Sequence, residues 1–282
     1  MNHMWASAVS IELYKIFRRP RTYIGFAAIC FLVPLIQIAL YVDGETYLEF
    51  SLQNLKEAFE FQGELLNGYL ATYIILVTLY VHIPFLVTLV TGDLLAGEAA
   101  TGTFRMILTR PISRTGLLLA KFTAGLIYTS LLIFCMGLLS IIMGVIVMGT
   151  GDLIVIKNTI YIFAEDDVMW RLIAAFGFGL LAMWTVAALS FMLSSFAENS
   201  IGPIMITMSI IIVFIIISAI DLSIFRTVKP FLFTSHMGSW KLFFEEPVNY
   251  NKIGNSALIL SAHIVVLISV TLFSFRRKDI LS

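Results

Sequence analysis

The stretch TYIGFAAICFLVPLIQIALYV, Thr22 to Val42, carries no charged residue from end to end. Such a run matches the ~20 apolar residues that a helix needs to cross a hydrocarbon core of about 30 Å. It is longer than the roughly 7–15-residue apolar core of a cleavable signal and lacks a small-residue cleavage site, so it is expected to remain as a first span. The rest of the 282-residue chain has the same character: 59% of it is hydrophobic and 13% charged, with a mean hydropathy of +0.95. A water-soluble domain could not cover its surface with so few polar groups. The shorter alternating segments of a membrane β-barrel are absent from the sequence.

The expected fold is therefore all-α, a polytopic membrane protein with six spans, at about 22–42, 70–91, 117–149, 169–194, 203–221 and 257–275. An even number of spans puts both termini on one side. Lys15, Arg18, Arg19 and Arg21, then Arg105, Arg110, Arg114 and Lys121, then Arg276, Arg277 and Lys278 fall on that side. The opposite connections hold most of the acids, among them Asp43, Glu45, Glu49, Asp152, Glu165, Asp166, Asp167, Glu245 and Glu246, with fewer cations such as Lys157 and Arg171. By the excess of Lys and Arg, the termini are expected in the cytoplasm.

WASAVSIELYKIFRRPRTY, Trp5 to Tyr23, places Val9, Leu13, Ile16 and Phe17 at helical spacing with basic residues toward its end. This predicts an amphipathic interface helix over 3–19, turned into the membrane at Pro20. Beyond the first span, Thr46 and Glu49 form a capping box, with Leu48, Leu52, Leu55, Phe59 and Leu66 following at helical spacing, which predicts a separate outer helix. The third span is too long for one bilayer and must tilt or project. Its Ser140 and Gly144, like Ala175 and Gly179 in the fourth, have the spacing of small residues that lets helices pack closely. Pro34 and Pro84 are expected to kink their spans, whereas Pro203 begins one. Between 222 and 256 the aromatics Phe225, Phe231, Phe233, Trp240, Phe243, Phe244 and Tyr250 suit the headgroup layer and predict one or two short helices before the last span.

Chemistry is sparse. Cys30 and Cys135 lie in apolar spans and read as small hydrophobes, with neither a disulfide nor a metal inferred from them. Within the spans the expected ionisable residues are His82, His263 and an end-placed Lys121, the last free to snorkel to the cytoplasmic interface. The two histidines differ in depth by roughly 9 Å, which disfavours a shared metal or direct proton relay, and each is expected to be packed and hydrogen-bonded. His-Glu-x-x-His, Gly-x-Ser-x-Gly and Walker A patterns are absent from the sequence. Glu245 and Glu246, in FFEEP, read as a solvated outer face rather than a catalytic pair.

GEAATGTFRMILTRPISRTG, Gly97 to Gly116, is different. Gly92 and Gly97 interrupt the end of span two, Met106, Ile107 and Leu108 supply an apolar side, Pro111 stops the segment and Ser113 is placed to cap the third long helix. This predicts a short cytoplasmic element over 92–114. The combination of Glu98 with Gly102-Thr103, an apolar run, Pro111-Ile112-Ser113-Arg114 and a leucine run ending in Lys121 resembles the ABC type-2 permease family, the membrane subunits of ATP-binding-cassette exporters. ALSFMLSSFAENSIGPIMI, Ala188 to Ile206, resembles that family's second cytoplasmic connection, and the layout of six spans matches along nearly the whole chain.

The resemblance implies a single transmembrane domain over 1–282 in a bacterial cytoplasmic membrane, with no catalytic site or cofactor of its own. ATP and Mg would be bound by partner ABC ATPase subunits, and a second permease copy or sister permease would complete the pathway through the lipid bilayer. Glu98, Thr101, Gly102, Thr103, Arg105 and Arg110 would couple to the ATPase, Glu98 by accepting from a partner arginine, and Glu198 and Asn199 would make a secondary contact. Segments 43–69 and 222–256 are where cargo or an extracytoplasmic partner would be accommodated; no nucleic acid is implied. Two other readings fit the sequence: a gradient-driven transporter or channel without an ATPase, and an ABC-type module that does mechanical work on a partner instead of moving cargo.

Overall fold

The computed structural model describes residues 2–56, 65–102, 113–157, 159–220 and 222–277. The described chain is mostly helical and holds six helical stretches long and apolar enough to cross a membrane, one of them, Ile83–Ala100, made of two consecutive short helices. In chain order these elements are α1 (Asn2–Phe17), α2 (Pro20–Lys56), α3 (Gly68–Leu79), α4 (Ile83–Thr91), α5 (Asp93–Ala100) and α6 (Arg114–Met148), then strands β1 (Leu153–Ile156) and β2 (Ile160–Phe163). There follow α7 (Glu165–Phe196), α8 (Ile201–Ala219), the single turn α9 (Ser223–Arg226), α10 (Phe233–Met237) and α11 (Tyr250–Arg277), with 3₁₀ turns at Lys229–Phe231 and Gly238–Phe244.

The helix α7 is the centre of the bundle. Two thirds of its most apolar stretch, 67%, is buried inside the protein, and the stretch through α4 and α5 is 78% buried, whereas α8 and α11 bury only 22% and 17% of theirs. The apolar faces that α8 and α11 leave outside, with Ile212, Val213, Val265 and Val266, are those of helices meant to meet lipid. Inside, Ile29 and Val33 of α2, Ile75 and Leu76 of α3, Val87 of α4, Leu132 and Met136 of α6 and Leu172, Ala182 and Val186 of α7 form one continuous core.

Two local features fix the ends of α6. Ser113 caps α6, its Oγ accepting from Gly116 N at 3.0 Å, and Gly149, at φ 69°, ends the helix in a conformation that other residues rarely adopt. Near the end of α6 its small residues meet the start of α3 backbone to backbone. A Cβ on Gly68 would lie 2.4 Å from the carbonyl carbon of Gly144. There Ser140 O accepts from Gln37 Nε2 at 2.7 Å and from Thr72 Oγ1 at 3.0 Å, so one carbonyl joins α2, α3 and α6. Small residues let the helices approach, and polar groups within that approach hold them.

The structure departs from the sequence expectations in four places. The helix α2 runs unbroken to Lys56, so Thr46 and Glu49 lie within a helix and do not begin one; Leu66 sits beyond it and folds back over Gly44, whose added Cβ would be 2.4 Å from Leu66 Cδ2. The second span is two helices, because Pro84 cannot donate to the carbonyl of Tyr80 and its ring crowds that carbonyl; the chain breaks at 80–82 and restarts as α4. Beside the helices stands one short strand pair that the sequence expectations did not include, Leu153 pairing with Phe163 and Val155 with Tyr161 in an antiparallel hairpin. Its β-branched and aromatic residues favour strand, and Leu153, Val155 and Phe163 turn inward to the core. Finally, Trp240 and Phe244 do not face outward but are completely buried within the protein, Tyr73 making edge contacts with both; of the seven aromatics only Phe231 and Tyr250 are exposed.

Replacing Gly68 by Ala is expected to cost about 1–3 kcal/mol, the range for overpacking a close contact. Gly179→Ala, whose Cβ would meet Tyr80 at an ordinary 3.6 Å, should leave stability nearly unchanged. Thermal unfolding of both variants in detergent checks the contrast.

Candidate functional site

Gly92 and α5 form the end of the second membrane helix pair, next to the elbow between α1 and α2, the first turns of α6 and the turn between α7 and α8. Gly92 has no side chain to cap α5. Ser194 of α7 does so from outside: its Oγ accepts from Leu95 N at 3.2 Å and Ala96 N at 2.9 Å and donates to Gly92 O at 2.6 Å. The start of α5 is thus fastened to the central helix through three backbone groups, the hydroxyl standing between Gly92 O and Ala96 N. Gly92 must be small here, because a Cβ would stand 2.9 Å from Ser190 Oγ.

Two buried carboxylates then tie α5 to the rest of this end. Asp93, 2% exposed, pairs with Arg19, with Arg21 at 2.7 Å, and with the hydroxyl of Ser200 at the start of α8. Gly97 makes room for it, since a Cβ there would collide with Asp93 Oδ1 at 2.4 Å. Glu98, 4% exposed, receives Lys121 Nζ at 2.6 Å and Lys15 Nζ at 3.0 Å. The same two ammonium groups reach Glu12 of α1, at 2.6 Å and 2.7 Å. Glu12, Lys15, Glu98 and Lys121 therefore close a square of alternating charge in which each lysine bridges both carboxylates, joining α1, α5 and α6. A cleft of about 20 Å³ between this square and the Asp93 pairs has room for one water molecule.

Burial alone would push the Glu12 carboxyl up, but the charges and hydrogen bonds of Lys121 and Lys15 outweigh it and hold Glu12 below its usual value. For Lys15 burial pulls downward, and the hydrogen bond and charge of Glu12 together with Glu98 outweigh it, raising the ammonium above its usual value. Both groups are thus charged around neutral pH.

The residues expected to meet a partner divide into two groups. Glu98 faces the interior of the bundle and its cations come from the same chain. Thr101 and Gly102 are exposed at the end of α5, Thr101 Oγ1 donating to Gly97 O at 3.0 Å and Gly102 turning the chain at φ 66°. Thr103, Arg105 and Arg110 lie outside the described residues. Glu198 and Asn199 are exposed in the turn before α8, where Asn199 Oδ1 accepts from Gly202 N at 2.9 Å. Lys121 does not snorkel: it is 1% exposed, because its two carboxylate partners lie inside. Glu12, Lys15, Arg19, Arg21, Asp93 and Ser194 were missed by the sequence reading. One signal was available, since Glu12 stands three residues after Val9 and four before Ile16, on the apolar face of α1, where a lone charge calls for a buried partner.

A second polar assembly lies at the opposite end of the bundle. Arg171 of α7, buried beneath the Phe163 ring at 4.2 Å, donates to Asp167 at 2.8 Å, Glu246 at 2.6 Å and Phe243 O at 2.7 Å. Lys157 donates to Glu245 at 3.0 Å. Glu245 and Glu246 are therefore the counter-ions of cations that fasten the segment before α11 to α7 and the hairpin. His82 Nδ1 is 3.0 Å from Thr78 O, and the nitrogens of His263 face Ile259 O and Phe231 O at 2.8 Å and 3.1 Å. Among the described residues no group of three or more His, Cys, Asp or Glu is arranged to hold a metal ion.

A family model described as a protein of unknown function, DUF2705, matches residues 26–281. The chain belongs to the DUF2705 family. That match takes in Asp93, Glu98, Lys121 and Ser194 of this DUF2705 protein and begins within α2, beyond Glu12 and Lys15. No curated protein matches the chain.

Lys121→Ala is expected to cost about 3–5 kcal/mol, the loss typical of removing one partner from a buried ion pair. The pH dependence has a definite sign. The contribution of Glu12 is complete above 4.5, its ordinary value, and is lost as pH falls through the lowered folded value. That of Lys15 is complete below 10.5 and is lost as pH rises through the raised folded value. Unfolding in detergent across this range should show a plateau between the two ordinary values, with stability falling on both sides.

Proposed function

We propose that the chain is the permease subunit of an ATP-binding-cassette exporter of the ABC type-2 kind, coupled to cytoplasmic ATPase subunits through the segment after α4. The observation that carries this reading is the joining of the two segments expected to meet the ATPase. Segment 92–114 and the connection within 188–206 lie far apart in sequence, yet Ser194 caps α5 and Ser200 bonds Asp93. A push on either segment from below would be felt by both.

In this proposal α5 is the transmitting lever, and the chain from Thr101 through Arg110 is the contacting surface, with Glu198 and Asn199 beside it. Glu98 acts from within as the anchor of the lever, passing displacement through Lys121 to α6 and through Lys15 to α1. ATP and Mg are bound and ATP is hydrolysed in the partner subunits, the chain itself catalysing nothing. A second permease, identical or a sister chain, completes the pathway. Both termini face the cytoplasm of a bacterium, and the Arg171 assembly faces outward. A second reading, mechanical work on an external partner without cargo, is favoured by α2, whose 37 residues would rise ~55 Å and so project well past the bilayer core.

Affinity purification in mild detergent should recover an ABC ATPase with the chain. Charge reversal at Arg105 should weaken that association roughly 10- to 100-fold, the effect of losing a charge-assisted contact, with stability unchanged. Glu98→Ala should lower stability and association together. Failure to recover any ATPase would remove the proposal's energy source. Loss of association in Glu98→Ala at full stability would place Glu98 at the partner's surface.

A further inference from the structure

The elbow between α1 and α2 concentrates positive charge where a membrane span begins. Arg18, Arg19 and Arg21 surround Pro20, the first residue of the apolar helix that runs to Gly44. One carboxylate, Asp93, serves both Arg19 and Arg21, whose side chains remain 35% and 40% exposed. Arg18 is exposed and pairs with no carboxylate among the described residues; its guanidinium lies 5.5 Å from the Tyr14 ring centre. The neighbouring square of charges is balanced in itself, because Glu12 and Glu98 already share Lys15 and Lys121. The elbow thus carries a surplus of guanidinium charge. Tyr14 and Tyr23 stand exposed on either side of it, Tyr23 donating to Phe17 O at 2.9 Å, in the manner of aromatics at headgroup level.

We propose that this elbow binds the headgroup of an anionic phospholipid, with Arg18 and the exposed edges of Arg19 and Arg21 donating to its phosphodiester. Guanidinium forks match phosphate oxygens in pairs, and an anion held at the end of an apolar span is most directly supplied by the bilayer that surrounds it. A lipid bound here shares Arg19 and Arg21 with Asp93. The composition of the membrane therefore bears on how firmly α5 is held.

The test is native mass spectrometry of the full chain released from nanodiscs of phosphatidylcholine mixed with phosphatidylglycerol. The wild type should retain phosphatidylglycerol in preference to phosphatidylcholine. Arg18→Gln, which removes no ion pair seen among the described residues, should reduce that preference roughly five-fold, and Arg18→Gln with Arg21→Gln should reduce it further. Lys252→Gln, an exposed cation at the other end of the bundle, should leave it unchanged. Equal retention in wild type and both elbow variants would overturn the proposal, as would an equal loss in Lys252→Gln. Displacement of the lipid by inorganic phosphate at equal concentration would assign the elbow to a free anion and also overturn it.

Discussion

The ammonium group of Lys121 is shut away from solvent seven residues into α6, and almost everything at that end of the molecule follows from the need to pair it. An unpaired charge in such a place is prohibitively costly, and a single carboxylate would leave further donor positions of the ammonium without acceptors. Two carboxylates and a second lysine solve the problem only if α1 folds back along α6 and α5 turns in beneath α4. Glu12 supplies one carboxylate and Glu98 the other, and Lys15 balances the set. The N-terminal helix is thereby a structural member of the bundle, with Ala8, Val9 and Ile16 buried beside the charges they accompany.

The opposite end obeys the same rule with a different cation. Arg171 enters α7 six residues from its start, is almost fully buried, and gathers Asp167, Glu246 and the carbonyl of Phe243 around its guanidinium. Lys121 ties helices to one another, whereas Arg171 ties the hairpin and the 3₁₀ turn at Gly238–Phe244 to a helix. The planar fork suits the second task, because it can serve a side-chain carboxylate and a main-chain carbonyl at once while lying against Phe163. Toward the Arg171 end, glycine and serine on α6 permit the contact of backbones that sets the spacing of α2, α3 and α6.

What could be read from the sequence follows the range of each signal. Apolar length is local and strong, so the membrane helices are evident; the cap at Ser113 and the close packing at Ser140 and Gly144 are equally local. The capping box at Thr46 misled because a helix already under way gains nothing by stopping there. The hairpin was missed because four-residue strands carry little periodicity. Trp240 and Phe244 were expected at the headgroup layer because aromatic composition does not say whether a ring faces headgroups or the core. The pairing of Lys121 with Glu12 spans 109 residues and that of Lys15 with Glu98 spans 83, distances over which no pattern in the chain announces a partner. Glu98 was expected to meet a partner arginine, and the cations it meets are Lys15 and Lys121 of the same chain.

The square of charges joins α5 to α1 through lysines that Glu98 shares with Glu12. Hydrogen exchange of the α5 amides from Leu94 to Ala100, compared between wild type and Glu12→Gln, tests this most directly, because the substitution lies on α1. If the four charges act as one unit, weakening the Glu12 corner will raise exchange in α5 as well as in α1. If α1 alone loses protection while α5 exchanges as in the wild type, the helices are held independently and the ionic square does not transmit force between them.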